Sequence, residues 1–224
     1  MPTLRLATCF LILFSVVPTS VGAGWLPKET LFPRLKADPR EPRIGISIAG
    51  NPDRWDAALG APIPLLEFQA GTTPVVVVLE GAALFRLGRR DSFFPLETFD
   101  GLFGLGLESV RGPWRGRLRF MHQSAHLADG SPDVTYPGNT FSRETVSLDL
   151  AFGPRERMTY VRVGTPWHTA PAAATGLEAS VGGQWELGQG SGKPYLAVHL
   201  EAESERAWRV RQTFLAGWIT GTER

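Results

Sequence analysis

The feature that most constrains the fold of this chain is a succession of segments in which apolar and polar residues alternate, separated by glycine and proline turns. Alternation with a period of two is typical of β-strands with one apolar face. Several segments are about 11 to 14 residues long, which exceeds the five or six usual in soluble sheets and suits the roughly 9–11 of a tilted membrane strand. The ten predicted strands are Arg43–Ala49, Trp55–Gln69, Val75–Leu87, Phe99–Arg111, Trp114–Leu127, Phe141–Phe152, Arg157–Thr165, Thr175–Leu187, Pro194–Glu203 and Ala207–Trp218.

The connections between these strands support a membrane barrel. Short turns alternate with longer loops along most of the chain, residues 71–73, 112–113 and 153–156 against residues 88–98, 128–140 and 166–174. Short periplasmic turns and long outer loops are typical of outer-membrane barrels. The last two connections do not follow this contrast. We predict an all-β fold, an up-and-down antiparallel transmembrane β-barrel of about ten strands, with both termini in the periplasm.

The amino-terminal residues predict export. Arg5 precedes the apolar stretch Leu6–Val17, and Val21-Gly22-Ala23 supplies the small residues of a cleavage site, so residues 1–23 are predicted to be a cleaved signal peptide. Residues 24–42 contain four prolines and predict an extended periplasmic arm, because proline fixes the backbone and removes donors. Residues 43–224 are predicted to form the barrel.

Charge and cysteine content exclude several classes of partner. The only cysteine, Cys9, lies in the predicted signal peptide, so the mature chain is expected to have no disulfide and no thiolate metal site. Loss of Arg5 leaves 22 basic against 22 acidic residues, which argues against a nucleic-acid partner. We expect no cofactor and no metal. The expected partners are membrane lipid and the outer-membrane assembly machinery, and we expect a monomer.

Pairing two hairpins separates charged from apolar residues. A turn at Gly112-Pro113 places Arg117 opposite Glu108, and a loop centred near residue 134 places Arg119 opposite Asp149. Leucines and Phe120 fall on the other face. A membrane barrel turns the charged face inward, whereas a soluble barrel buries the apolar face. We predict a lumen charge network of Arg115, Arg117, Arg119, Glu108 and Asp149, either structural or lining an anion pore.

Large aromatic residues fall near the predicted strand ends. These are Trp55, Trp114, Trp167, Trp185, Tyr195, Trp208 and Trp218. Aromatic residues at both rims form the interfacial girdles of membrane barrels, so this distribution favours the membrane interpretation.

Two stretches resemble the bacterial family catalogued as domain of unknown function 1207. One begins at Trp25-Leu26-Pro27-Lys28 and ends at Ala37-Asp38-Pro39-Arg40-Glu41-Pro42-Arg43, and the other runs from Arg111-Gly112-Pro113-Trp114 to His122-Gln123-Ser124-Ala125-His126-Leu127. The resemblance implies an exported, outer-membrane protein without an assigned activity. It also implies further strands after residue 219, so a carboxy-terminally truncated barrel remains an alternative.

The candidate chemistry lies at His122, Ser124 and His126, which alternate on one strand with the apolar face. The predicted register places Glu144 opposite Ser124, which gives the nucleophile, base and carboxylate of a serine hydrolase. This hairpin resembles outer-membrane phospholipase A and lipid A deacylase, which implies hydrolysis of lipid acyl esters, although Ala125 departs from the asparagine that follows their serine. A polar collar at the strand ends is the alternative, and the two histidines are about 13 Å apart, too far for one metal ion.

Three functions follow from these patterns. The first is an outer-membrane barrel with a structural or weakly permeable role. The second is a lipid acyl-ester hydrolase centred on Ser124. The third is a soluble periplasmic ligand-binding barrel.

Overall fold

The computed structural model describes residues 23–48, 53–89, 93–129, 140–171, 176–188 and 192–220. Residues 1–22 of the predicted signal peptide lie outside this part. The strands are β1 (Gly24–Trp25), β2 (Gly45–Ile48), β3 (Arg54–Ala70), β4 (Thr73–Gly88), β5 (Leu96–Arg111), β6 (Trp114–Leu127), β7 (Phe141–Phe152), β8 (Arg157–Ala170), β9 (Glu178–Glu186), β10 (Lys193–Glu203) and β11 (Arg211–Ile219). A 3₁₀ turn, Ser204–Arg206, joins β10 to β11.

The strands form one antiparallel, up-and-down sheet, so the predicted all-β fold is confirmed. From β3 to β11 each strand pairs with the next one along the chain, while β1 and β2 both pair with the outer edge of β3. Each of the ten predicted strands overlaps an observed one, and β1 was not predicted. In the described residues no hydrogen bonds join β11 to β1, β2 or β3, so the sheet is not closed by a ladder. The described part contains no helix that is long and apolar enough to cross a membrane.

The two faces of the sheet have opposite polarity. One face, here called the inner face, carries buried charged side chains such as Glu80, Arg117 and Asp149, which are 0–2% exposed. The outer face carries exposed apolar side chains such as Leu105 at 51% and Val163 at 50%. This is the reverse of a soluble barrel, in which the apolar face is buried.

The segment between β1 and β2 buries these charged side chains. Residues 26–44, here called the arm, run along the inner face from the short-turn end of the sheet to the long-loop end. Arg155, beside the short turn after β7, donates to the Thr30 carbonyl oxygen, and Arg40 contacts Glu178 and Glu201 nearer the long loops. The arm therefore occupies the concave side of the sheet. The prolines of residues 24–42 predicted an extended arm, but not this position.

The arm also sets at which end of the sheet β1 and the end of β11 lie. It carries the chain across the sheet once before β3 begins, and nine long strands follow. As a result β1, which pairs with Glu67 and Leu66, and the end of β11, which pairs with Lys193, both lie at the short-turn end. The sequence predicted both termini on one side, from ten crossing strands.

The predicted register is right for one hairpin and wrong for the next. Arg117 lies opposite Glu108 across the two-residue turn, as predicted. Across the loop between β6 and β7, Arg119 lies opposite Ser147 rather than Asp149, and Glu144 lies opposite His122 rather than Ser124. The error is two residues. An even shift keeps every side chain on its predicted face, and a long loop does not fix the register as a two-residue turn does.

Candidate functional site

The centre of the inner face is a buried ion network between the arm and the sheet. Arg117 donates to both carboxylate oxygens of Glu41, at 2.8 and 3.0 Å, and to Asp149 at 2.9 Å. Arg162 donates to Asp149 and, at 2.6 Å, to Asp38. We call these five residues the inner-face ion network. The arm thus supplies two of its three carboxylates.

The predicted lumen residues all lie on the inner face, but several have partners that the sequence did not predict. Glu108 lies opposite Arg117 in the register but forms no ion pair with it. Its carboxylate accepts the backbone N–H groups of Leu31 and Phe32 at 2.7 and 2.8 Å. Arg115 donates to the Leu31 carbonyl oxygen at 3.0 Å. These contacts hold the start of the arm on β5 and β6.

The remaining predicted arginine, Arg119, reaches across the face instead of pairing with β7. It contacts Glu80 on β4 at 2.5 Å and Glu41 at 3.6 Å. The expected Arg119–Asp149 pair is replaced by Arg117–Asp149 because of the two-residue register shift. A buried arginine without its carboxylate is costly, so these contacts constrain the whole inner face.

Apolar packing adds to the ion pairs. Phe32 and Leu35 of the arm form a buried cluster with Ala151, Met158 and Tyr160. The Arg117 guanidinium lies over the Phe32 ring, 4.4 Å from its centroid, a cation–π contact that strengthens when desolvated. The arm is therefore an integral part of the fold.

The charges around Asp38 fix its ionisation. Burial by itself raises the pKa of the Asp38 carboxyl, but the guanidinium groups of Arg162 and Arg40 outweigh burial, and the pKa lies well below its ordinary value. Asp38 is therefore charged throughout the physiological pH range. An ionised Asp38 keeps the arm bound to β8.

A polar cluster lies on the outer face at the long-loop end of β6, β7 and β8. The His122 Nδ1–H donates to Glu144 Oε1 at 2.8 Å, and the His168 Nδ1–H donates to Glu144 Oε2 at 2.7 Å. The side chains of His122 and Glu144 are 22% exposed, and the His122 ring packs against Phe103 at 4.7 Å. We call His122, Glu144 and His168 the outer-wall cluster.

Ser124 and His126 follow His122 on the same face but do not join these hydrogen bonds. Ser124 lies opposite Ser142 on β7 and Gly101 on β5, and among the described residues it has no hydrogen bond to Glu144 or either histidine. His126 packs near Phe99, at 6.5 Å between ring centroids. The structure thus brings His122 and Glu144 together, and leaves Ser124 about 7 Å from His122, one repeat along the strand.

The chemistry of the outer-wall cluster follows from its tautomer. A carboxylate accepts, so both Nδ1 atoms carry the proton and each neutral imidazole has an unprotonated Nε2. This is the arrangement in which a histidine takes a proton from a hydroxyl. In the part of the chain that the structure describes, no group of three or more His, Cys, Asp or Glu residues could hold a metal ion.

A cavity of about 1290 Å³ opens at the long-loop end of the concave side. The arm forms its floor through Arg40. Its lining carries five arginines and four carboxylates, including Asp100, Arg143, Glu203 and Arg211. An excess of one positive charge does not indicate an anion pore.

Sequence reasoning missed Asp38, Glu41, His168 and His199. His199 is 1% exposed and its Nδ1 shares a hydrogen bond with the Tyr160 hydroxyl at 2.8 Å. The one signal in the sequence was the density of charged residues in the arm. An extended linker has no need of carboxylates that face arginines. His168 faces Glu144 because of a β-bulge between β7 and β8 at Glu144 and Thr145, which the alternation of side chains does not predict.

Searches of family models, curated proteins and solved structures found no match to this chain.

Proposed function

We propose that this protein is an exported outer-membrane β-barrel with a structural role, whose lumen is closed by its own arm. The observation that carries the proposal is the reversed polarity of the sheet. Charged side chains are buried on the concave side, and apolar side chains are exposed on the convex side. Burying that apolar surface in lipid is favourable, whereas leaving it in water is not.

The aromatic residues match the height of a bilayer. Trp25, Trp114, Trp185 and Trp218 lie at the short-turn end, and Trp55, Trp167 and Trp208 at the long-loop end. On β8, Arg157 lies opposite Trp185, and Trp167 follows about ten residues later. With a rise of about 3.3 Å and a tilt near 40°, this separation spans about 25 Å, the height of an apolar band. A soluble barrel does not require tryptophans concentrated at both rims.

The occupied lumen argues against a permanent pore. The ion pairs of Arg117 and Arg162 with the arm fill the centre of the concave side, which is where ions would have to pass. We expect the purified protein to show heat-modifiable migration on gels. In planar bilayers we expect it to show no steady conductance. A large, constant conductance of the wild type would contradict the closed lumen, and a freely soluble protein after lysis would contradict the membrane location.

A second candidate function rests on the outer-wall cluster. The His122–Glu144 hydrogen bond holds an imidazole on the lipid-facing wall at the level of Trp167, with Ser124 two residues further along the strand. A nucleophile, a base and its orienting carboxylate on that wall suit hydrolysis of an acyl ester of a membrane lipid. In this proposal the Ser124 hydroxyl attacks the ester carbonyl, and its proton passes to His122 through one bridging water because the two residues are one strand repeat apart. The lipid alcohol leaves with that proton, and a second water then hydrolyses the acyl-serine to release the fatty acid.

The test compares two serines on facing strands. Detergent-solubilised protein should release fatty acid from phospholipid or lipid A, Ser124→Ala should abolish release, and Ser142→Ala should retain it. Both variants should keep heat-modifiable migration. Equal release by wild type and Ser124→Ala would refute the site, and absence of release by the wild type would leave the cluster as a polar collar.

A further inference from the structure

The two edges of the sheet are unlike each other. At one edge, β11 has no proline among its nine residues, and among the described strands it pairs only with β10. At the other edge, β1 covers β3 near Leu66 and β2 covers it from Trp55 to Ala58. Between them the edge contains Pro62 and Pro64, which have no N–H to donate. Proline is tolerated in strands where its missing N–H faces away from the ladder, so this stretch of β3 is a poor partner.

In a bilayer the edge of β11 must be paired, which makes this inference rest on the proposed membrane location. Each unsatisfied backbone group in hydrocarbon costs several kcal/mol, and open sheet edges are not found there. The edge of β11 therefore needs a strand that runs antiparallel to it, with its polar side chains on the inner face.

The β11 strand of a second copy cannot supply that pairing. Antiparallel pairing of β11 with β11 uses a two-fold axis through the wall, which turns the second copy upside down in the membrane. A two-fold axis along the membrane normal keeps both copies upright but makes the strands parallel and turns the inner face of one copy to the outside. Copies inserted in the same direction satisfy neither arrangement.

We propose that β11 closes the barrel against β2 at the long-loop end and β1 at the short-turn end. Both short strands pair antiparallel to β3 and so run in the direction that β11 requires. They act as the two halves of a tenth strand, interrupted where the arm enters the lumen. The interruption lies beside Pro62, the central residue of β3, where pairing is weakest.

The side chains of β2 and β11 fit this closure. Ile46 and Ile48 lie opposite Ala57 and Trp55 on the outer face and are 63% and 57% exposed, as is Phe214 of β11 at 66%. Ser47 and Thr213 lie on the inner face. Pairing the edges thus continues the apolar outer wall and the polar inner wall without placing like charges opposite each other.

Disulfide trapping tests the closure in the full chain, with Cys9→Ser removing its only cysteine. Cysteine pairs would join an inner-face position of β2, Gly45 or Ser47, to one of β11, Arg211 or Thr213. Because the four combinations cover neighbouring registers, we expect at least one to form an intramolecular disulfide in outer membranes. Ala197→Cys with Leu215→Cys, which lie opposite each other in β10 and β11, is the positive control.

Three outcomes are informative. An intramolecular bond that leaves the barrel compact after heating until it is reduced supports the closure. No bond in any of the four pairs, when the control pair forms one, overturns it and indicates a strand from outside the described chain. Dimers linked through Thr213→Cys alone would also overturn it. Loss of the control bond and of membrane recovery together would instead count against the membrane location.

Discussion

Strand β7 carries two carboxylates with the same arrangement on opposite faces. Asp149 bridges Arg117 on β6 and Arg162 on β8, and Glu144 bridges His122 on β6 and His168 on β8. Asp149 is wholly buried, and its partners are permanently charged. The Glu144 side chain is 22% exposed, and its partners are imidazoles with a free nitrogen. Burial and partner type, rather than the bridge itself, therefore determine how strongly each carboxylate stabilises the fold.

The largest expected difference between the two bridges is in stability. Asp149→Asn removes the charge shared by two buried arginines, and breaking a buried pair typically costs about 3–5 kcal/mol. Glu144→Gln affects a partly exposed bridge, for which we expect less than about 1 kcal/mol. Urea midpoints of the compact, heat-modifiable form measure both. Equal losses would show that the two faces have similar solvation.

Coupling across the arm should come next in size. In double-mutant cycles, Arg117→Met with Glu41→Gln should couple by about 0.5–3 kcal/mol, since the pair is buried and bidentate. Arg117→Met with Glu108→Gln is the matched control. That pair is opposed in register, but Glu108 binds the arm backbone instead. A control coupling as large as the first would mean that Arg117 turns toward β5.

The smallest expected effect is on pH dependence. The pKa of Asp38 is lowered in the folded protein, so its stabilisation is complete above the ordinary carboxyl value near 3.9 and is lost as the pH falls through the folded value. The stability difference between wild type and Asp38→Asn should be constant from about pH 7 to 5 and shrink below about pH 4. A difference that shrinks already near neutrality would contradict the ion pair with Arg162.

The sequence predicted the strands and their faces because apolar and polar side chains alternate with a period of two. It predicted the Arg117–Glu108 register because a two-residue turn leaves little freedom. The pairing of Glu144 with His122 could not be predicted in the same way. The loop before β7 permits register shifts of two residues, which leave every side chain on the same face.

The arm shows a second limit of sequence reasoning. Prolines in residues 24–42 predict that it is neither helix nor central strand, but no local pattern states which surface a non-repetitive segment contacts. Asp38 and Glu41 contact residues more than 70 positions away. Such contacts depend on the curvature of the completed sheet, which alternation does not encode.

If the proposed membrane location is right, the outer face of this sheet meets lipid and the inner face does not. Nitroxide labels on Phe120→Cys and Ser147→Cys, each in the Cys9→Ser background, test it in lipid vesicles. Phe120 is 46% exposed on the outer face and Ser147 is 7% exposed on the inner face. We predict that the label at residue 120 collides mainly with dissolved oxygen and is protected from a water-soluble nickel complex, whereas the label at residue 147 shows no lipid exposure. A label at residue 120 that is open to the nickel complex, with residue 147 protected among apolar groups, would contradict the account.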